Sequence, residues 1–386
     1  MKGIAGKVLT ALGVIFVLAA VLWWTVGLGM LLKIPKGVDE VLYFEGDVTM
    51  YVNPATYQPL PEGQEIEQPY SATRHIESID EEYDSSTAVI RETVEANIVG
   101  MAPICNVYTI DRKSQINVED DRAYAYREDI DVNRAGSYVL FPLNVSEEEV
   151  FPFWKNECNA AFDMVYLGRD EKEGLEVYNF GTTFEEEPAW DAFLGFMGMP
   201  TEVTFDQLAA QLSAQGVDME GLMSLAASAL TPDDLQSLQQ ATQQPIPIYY
   251  YYSQAVEMSV EPVTGAIVDL YRNVEGLSME PDYSGLAPVF SVLMKYQQDP
   301  VLGPALQQLA DLQARFADAG PQKIMEYSYQ QTPESVSEAV DKAKSGKSMV
   351  GLVKLWAPLI AIILGVLLLA TGFFFLRKVR ASKSSS

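Results

Sequence analysis

Histidine is nearly missing from this chain: a single residue, His75, stands among 386. Acid–base or nucleophilic chemistry that turns on an imidazole therefore has one candidate and no partner of its kind. No serine occupies a Gly-x-Ser-x-Gly elbow. Cysteine is almost as scarce, with only Cys105 and Cys158, so a zinc site built from thiolates and imidazoles would be incomplete. Positive charge is short as well: 26 lysines and arginines face 53 carboxylates. A nucleic-acid footprint needs the opposite balance, and that class is excluded.

Charge is missing altogether from two long stretches, Val8–Leu32 and Leu355–Leu376. At ~1.5 Å rise per residue, each can cross a hydrocarbon core of ~30 Å as a helix. Every carboxylate lies between them, and six basic residues lie outside them, so segment 33–354 carries a net charge of about −33. Such a surface is expected to be solvated, with solubility, cation binding or salt tolerance as its physical roles. Lys2 and Lys7 precede the first run, while Arg377, Lys378, Arg380 and Lys383 follow the second. Basic flanks stay inside, which places residues 1–7 and the basic tail 377–386 in the cytoplasm and segment 33–354 outside the plasma membrane. The first run continues past Ala19-Ala20 through Trp23-Trp24, so it reads as an uncleaved signal-anchor over 8–32 rather than a cleaved signal peptide. The second span covers 355–376, where Ala361 and Gly365 form a small-x-x-x-small pair that would allow close helix packing. Neither span offers the charged or wettable face that a pore requires.

In an extracytoplasmic segment, Cys105 and Cys158 are expected to pair as a disulfide, worth at most ~4 kcal/mol for a loop of this length. Asn144-Val145-Ser146 is a glycosylation sequon where the host attaches N-glycans.

The segment between the spans reads as α+β, mostly β. Val41–Phe44, Val48–Val52, Thr87–Ile98, Ile104–Ile110, Tyr138–Leu143 and Gly174–Gly181 are rich in β-branched and aromatic residues between turn formers. Residues 190–244 form a helical insert, opened by the capping box Thr204-Phe205-Asp206-Gln207 and by Thr231-Pro232-Asp233-Asp234. Strands resume at Ile248–Ser253, Ala255–Val260 and Ala266–Tyr271. A helix on Leu302, Ala305, Leu306, Leu309 and Phe316 follows, then a strand at Ile324–Tyr329 and a helix starting at Pro333.

Chemistry-bearing motifs are few. Gly346-Lys347-Ser348 resembles the end of a phosphate loop, but Asp341 stands where the first glycine belongs. Asp129-Ile130-Asp131-Val132-Asn133 opens like a calcium loop, yet Arg134 and Leu140 occupy the glycine and glutamate positions. Acid pairs such as Glu147-Glu148 and Glu186-Glu187 carry no specificity among 53 carboxylates. No catalytic residue, metal or cofactor is expected. The aromatic stretches Tyr249–Tyr252 and Phe151-Pro152-Phe153-Trp154 offer either core packing or a wall for a lipid or sugar ligand. Tyr249, Tyr251, Phe153 and Trp154 are the candidate ligand-binding residues.

Several segments in order carry a resemblance: Lys33-Ile34-Pro35 with Tyr43 and Gly46; Tyr138–Pro142 with Phe151–Trp154; Tyr166-Leu167-Gly168 with Gly174–Phe180; Val260–Gly265; and Tyr329–Val336 ahead of a Pro358-containing span. Together they resemble the PorA-type porin family of cell-envelope proteins. The resemblance implies two terminal spans around an extracytoplasmic domain, no catalytic residues, and by the family's name a channel. In layout alone, the chain also resembles the CD36-type scavenger receptors, whose ectodomain holds a lipid tunnel. The expectation is a non-enzymatic envelope protein that binds a lipid, an amphiphile or an envelope partner, or else a porin-like subunit acting as a homo-oligomer.

Overall fold

The computed structural model describes residues 2–383, apart from 28–31, 54–59, 62, 99–101, 215–217, 301, 305, 308–309 and 311–319. Eleven antiparallel strands form one strongly curled sheet: β1 (Asp39–Met50), β2 (Ile66–Ser78), β3 (Thr87–Ala96), β4 (Ile104–Asp111), β5 (Phe151–Lys155), β6 (Ala160–Lys172), β7 (Leu175–Pro188), β8 (Glu202–Val203), β9 (Ile246–Val260), β10 (Ile267–Pro281) and β11 (Gln322–Gln331). Their order is β4-β3-β2-β1-β11-β10-β9-β7-β6-β5, with the short β8 on β9. Register shifts between β6 and β7, β7 and β9, and β9 and β10 mark bulges that bend these long strands and curl the sheet into a half-barrel.

The first and last strands lie side by side, Phe44 opposite Gln331 and Met50 opposite Met325. That pairing brings both chain ends to the same end of the sheet. Gly46 makes the pairing possible, because a Cβ there would stand 2.1 Å from the Ser328 carbonyl oxygen. Beyond β11, Thr332 caps the helix Pro333–Gly351 by accepting the Ser335 N–H. This helix lies across the end of the half-barrel. It packs Val340 and Ala343 on Leu175, Val177 and Val268, and its lysines tie it to the sheet's turns: Lys347 Nζ lies 3.2 Å from Glu261, and Lys344 Nζ donates to the Glu173 carbonyl at 2.8 Å.

In chain order the helices are α1 (Lys2–Leu22), α2 (Asp191–Met197), α3 (Phe205–Ala214), α4 (Met219–Ala229), α5 (Pro232–Thr242), α6 (Ala287–Met294), α7 (Pro333–Gly351) and α8 (Ala357–Lys383). Among the described residues, two helices are long and apolar enough to cross a membrane, Ile4–Thr25 and the rod Pro333–Lys378. A π-helical turn, Leu352–Trp356, joins α7 to α8. Its cause is Pro358, which has no N–H for the carbonyls four or five residues back. The indole N–H groups of Trp23 and Trp24 donate to those carbonyls, Val353 and Lys354, at 2.9 Å each. These tryptophans therefore tie the two spans together at one level.

The helical insert does not stand alone. Leu208, Leu212, Met219, Ala226 and Leu238 of α3–α5 share one core with Leu286, Val289, Leu293, Leu302 and Leu306. Two separate excursions, after β7 and after β10, thus build a single helical cap. Of the helix expected at 302–316, Leu302 and Leu306 are in this core, whereas Ala305, Leu309 and Phe316 lie outside the described residues. Tyr138–Leu143 is not a strand. It runs irregularly across the half-barrel, with the Phe141 N–H donating to the Gly265 carbonyl.

The edge strands β4 and β5 do not pair; segment 112–150 bridges them. Tyr124 pairs with Val107 on β4, and Ser137 with Phe153 on β5. Buried Arg134 locks this closure: it donates to Asn156 Oδ1 at 2.9 Å, to the Val107 carbonyl at 2.5 Å and to the Tyr124 carbonyl at 2.8 Å. Its guanidinium also lies 4.0 Å from the Tyr108 ring centroid. Lysine cannot serve three acceptors in a plane. Arg134→Lys is expected to lower stability by ~1–3 kcal/mol, read as a loss in the denaturation midpoint of the full chain.

The expected disulfide is absent: both cysteines are free thiols. Cys105 lies on β4 with its sulfur 3.6 Å from the Tyr124 hydroxyl, and Cys158 follows β5. They stand at opposite edges of the sheet order, and burial pushes the Cys158 thiol's pKa well up.

Candidate functional site

The concave face of the half-barrel encloses a cavity of about 650 Å³. Strand periodicity supplies its walls, since alternate residues of each strand face inward. On β9 these are Tyr252, Gln254, Val256 and Met258; on β3 they are Ile90, Glu92, Val94 and Ala96. The α7 side contributes Ala339, Ala343, Gly346, Met349 and Val350, and the linker after α1 contributes Leu32, Ile34 and Pro35. Apolar side chains dominate, and the polar ones gather in two clusters.

Glu275 centres the first cluster. Its carboxylate accepts from Lys155 Nζ at 3.1 Å, Gln254 at 3.0 Å, Asn273 at 2.7 Å and Tyr329 at 2.9 Å, and also from the Tyr252 hydroxyl. Lys155, 6% exposed, also lies 3.3 Å from Glu157. Burial alone would raise the pKa of Glu275, but Lys155 and the converging donors hold it below the usual range. Burial does push Glu157 up, against the pull of Lys155, so Glu157 is the member of this cluster that takes up a proton first. In the second cluster, Arg74 meets fully buried Glu92 at 2.5 Å, and Glu92 also accepts from Asn106 at 2.9 Å and Tyr108 at 2.8 Å. The Arg74 guanidinium stacks 5.0 Å from the Tyr138 ring centroid. Opposed by burial, Arg74 and its hydrogen-bonded partners nonetheless keep Glu92 low. Arg74 and Lys155 thus each meet a buried carboxylate, although Arg74 Nη2 is buried without a hydrogen-bond partner; of the other cations in the lining, Lys342 lies 3.7 Å from Glu40 and Lys33 Nζ donates to the Ser85 carbonyl at 2.7 Å.

Of the candidate ligand residues, Phe153 lines the cavity, its ring 5.4 Å from that of Tyr138. Trp154, 5% exposed, is not in the lining; it belongs to the hydrophobic core that includes Ala125, Tyr126 and Tyr252, its indole N–H donating to Asn156 Oδ1 at 3.0 Å. Tyr249, 53% exposed, and Tyr251 lie on the convex face; Tyr251 donates to Glu280 at 3.2 Å. Their neighbours Tyr250 and Tyr252, 4% and 3% exposed, form the inward row. Alternation identifies two rows but not which of them the curl encloses. Sequence reasoning missed Glu275, Lys155, Arg74 and Glu92. A period-two reading of β10, with Asn273 and Glu275 in line with Leu277, carries the only sequence signal for them. Asn144 lies in the left-handed region at φ 58°, beside the second span, and its Oδ1 accepts from Lys354 Nζ at 2.7 Å. His75 pairs with Asp39 at the surface, at 2.8 Å. Among the described residues, no three metal-ligating side chains converge.

A curled antiparallel sheet with an internal cavity, carried on two apolar terminal helices, defines a membrane-associated β half-barrel protein. The family model described as Porin PorA matches residues 5–374, nearly the whole chain, and the protein belongs to that family of porin-like envelope proteins. No curated protein matches it.

Proposed function

We propose that this protein is a non-enzymatic, membrane-anchored envelope protein whose extracytoplasmic domain holds a lipid or other amphiphile inside the half-barrel. One observation carries this reading: a cavity of about 650 Å³, walled by apolar strand faces and containing a few convergent polar groups. Ligand sites of roughly 300–1,000 Å³ have this composition. Both chain ends are inferred to be cytoplasmic, because the basic flanks lie beyond both spans and β1 and β11 leave the sheet side by side. Lipid extracts of the full-length protein, purified from its native membrane and analysed by mass spectrometry, are expected to contain one stoichiometric lipid. A preparation that is folded and empty would sink the reading.

The family's description favours a second reading, a channel built by several copies. The backbones of the two spans touch at Gly13 and Gly365, which leaves no water path between them within one chain. Planar-bilayer recording separates the readings: the lipid-holding protein is expected to give no unitary conductance at any protein concentration.

A further inference from the structure

Resting on the lipid-holding reading, we propose that the cavity selects an amphiphile with an anionic head, a carboxylate or a phosphate. The head pairs with the edge of the Arg74 guanidinium that Glu92 leaves free.

The register of the first three strands places that guanidinium. Lining residues fall in rows across β1, β2 and β3: Leu42, Arg74 and Val94 form one row, and Phe44, Ala72 and Ala96 form the next. Successive rows are two residues apart along the strands, or about 7 Å. An alkyl chain lying on the apolar row therefore brings its head to Arg74.

Arg74 has donors to spare. Its Nε donates to Glu92 at 2.5 Å, and its Nη2 is buried without a hydrogen-bond partner. A guanidinium carries five N–H donors, and a buried one left unpaired costs free energy that an acceptor recovers. Glu92 stays in place when the guanidinium is shared, because Asn106 at 2.9 Å and Tyr108 at 2.8 Å hold its other oxygen. A second oxyanion then takes the remaining edge, a fork that fits carboxylate and phosphate alike.

Charge is shared unevenly along the lining. Lys155 lies between two carboxylates, Glu275 at 3.1 Å and Glu157 at 3.3 Å. Toward the start of β1 the ratio is reversed. Arg74 and Lys342 have one carboxylate each, Glu92 at 2.5 Å and Glu40 at 3.7 Å, and both acids flank Ile76 in the row beside Arg74. Lys33 gives its Nζ to the Ser85 carbonyl at 2.7 Å, in the connection from β2 to β3 at the same end of the sheet. Three cations of the lining thus face two carboxylates at this end. One anionic head evens the charge and supplies the acceptor that Nη2 lacks; a neutral head does only the second. In an apolar interior that difference is felt more strongly than in water.

Photolabelling of the full-length protein in liposomes tests this. The probes are three diazirine-bearing alkyl chains of equal length that end in a carboxylate, a phosphate or a hydroxyl. Peptide mapping is expected to place the carboxylate probe, the phosphate probe or both on β1–β3 at about tenfold the level of the alcohol, the effect of one charge-assisted hydrogen bond in a buried site. The stronger of the two anionic probes identifies the head. Arg74→Gln alone would strand buried Glu92, so the variant combines Arg74→Gln with Glu92→Gln, which removes both charges of the pair and is tolerated better than the loss of one. It is expected to bring the anionic probes down to the level of the alcohol and to leave the alcohol unchanged. Lys342→Met, outside that pair and with a half-exposed side chain, is the independent check, and is expected to lower anionic labelling by about two- to threefold. Equal or stronger labelling by the alcohol, or an anionic preference that either variant leaves unchanged, would overturn the assignment while leaving the lipid-holding reading intact. A cavity labelled by none of the three, in protein that also purifies empty, would overturn this inference together with the reading beneath it.

Discussion

Glu275→Ala is expected to destabilise the folded protein by about 3–5 kcal/mol, because it removes one partner of a buried ion pair and leaves the other in place. The carboxylate of Glu275 gathers Lys155, Gln254, Asn273, Tyr252 and Tyr329; alanine would leave Lys155 with Glu157 alone, at 3.3 Å, and Gln254 with the Asn273 side-chain carbonyl oxygen, and would strip the other donors of the acceptor they share. Glu275→Gln keeps an acceptor in place and removes the charge, so its loss should be smaller. It also removes a repulsion on Glu157, whose carboxyl should then ionise more readily. The pH dependence follows with definite signs. Glu92 and Glu275 are held below the ordinary glutamate value of 4.5, so their contribution is present above that pH and is lost as pH falls through their folded values. Glu157 is held above it, so its contribution is fully present below 4.5 and is lost as pH rises through its folded value. Denaturation profiles from pH 3 to 8 check both limbs. Glu157→Gln should flatten the alkaline side alone, and an unchanged alkaline side would remove Glu157 from this account.

The parts of the fold that were legible are those with a local cause. Uncharged runs announce the spans, and the capping box at Thr204 forms as written: the Gln207 side chain accepts the Thr204 N–H at 2.8 Å while Thr204 Oγ1 accepts the Gln207 N–H at 3.2 Å. Thr231 caps α5 in the same way. Strand β2 was missed because its alternation is broken: one face meets solvent, and the other mixes Ala72 and Ile76 with Tyr70 and Arg74 in the cavity wall. Two cysteines outside a membrane suggested a bond, but an even count does not set the geometry that pairing needs, and Cys105 on β4 and Cys158 after β5 are free thiols. The polar clusters were out of reach for a similar reason. Lys155 and Glu275 stand 120 residues apart, and with 53 acids available nothing local marks the one that meets the lysine. The same curl that joins them also selects Tyr252 over Tyr251 for the interior.

Gly365→Leu is expected to separate the two spans. Gly6, Gly13 and Ala20 recur at intervals of seven on α1 and are buried, as are Pro358, Gly365 and Gly372 on α8. With this period, small residues of two antiparallel helices meet along one seam, and tight van der Waals contact replaces the hydrophobic effect, which is absent between helices in lipid. The spacing leaves no slack: a Cβ at Gly365 would lie 2.9 Å from the Gly13 carbonyl oxygen, and one at Gly13 would lie 2.7 Å from the Gly365 carbonyl oxygen. Alanine at 365 therefore already forces a shift, and leucine forces the backbones apart by the width of a side chain. Separation would also pull Trp23 and Trp24 from the Val353 and Lys354 carbonyls, leaving the π-helical turn without its donors. Leu364→Ala, on the lipid-facing side at 45% exposure, is the control and should change little. The measurement is tryptophan emission and thermal midpoint of the full-length protein in detergent, with the loss graded Leu364→Ala, Gly365→Ala, Gly365→Leu. Because Val353 of the π-helical turn also lines the cavity, Gly365→Leu should also reduce the co-purifying lipid. A half-barrel that still co-purifies with lipid while the spans part would show that the cavity closes independently of its anchor.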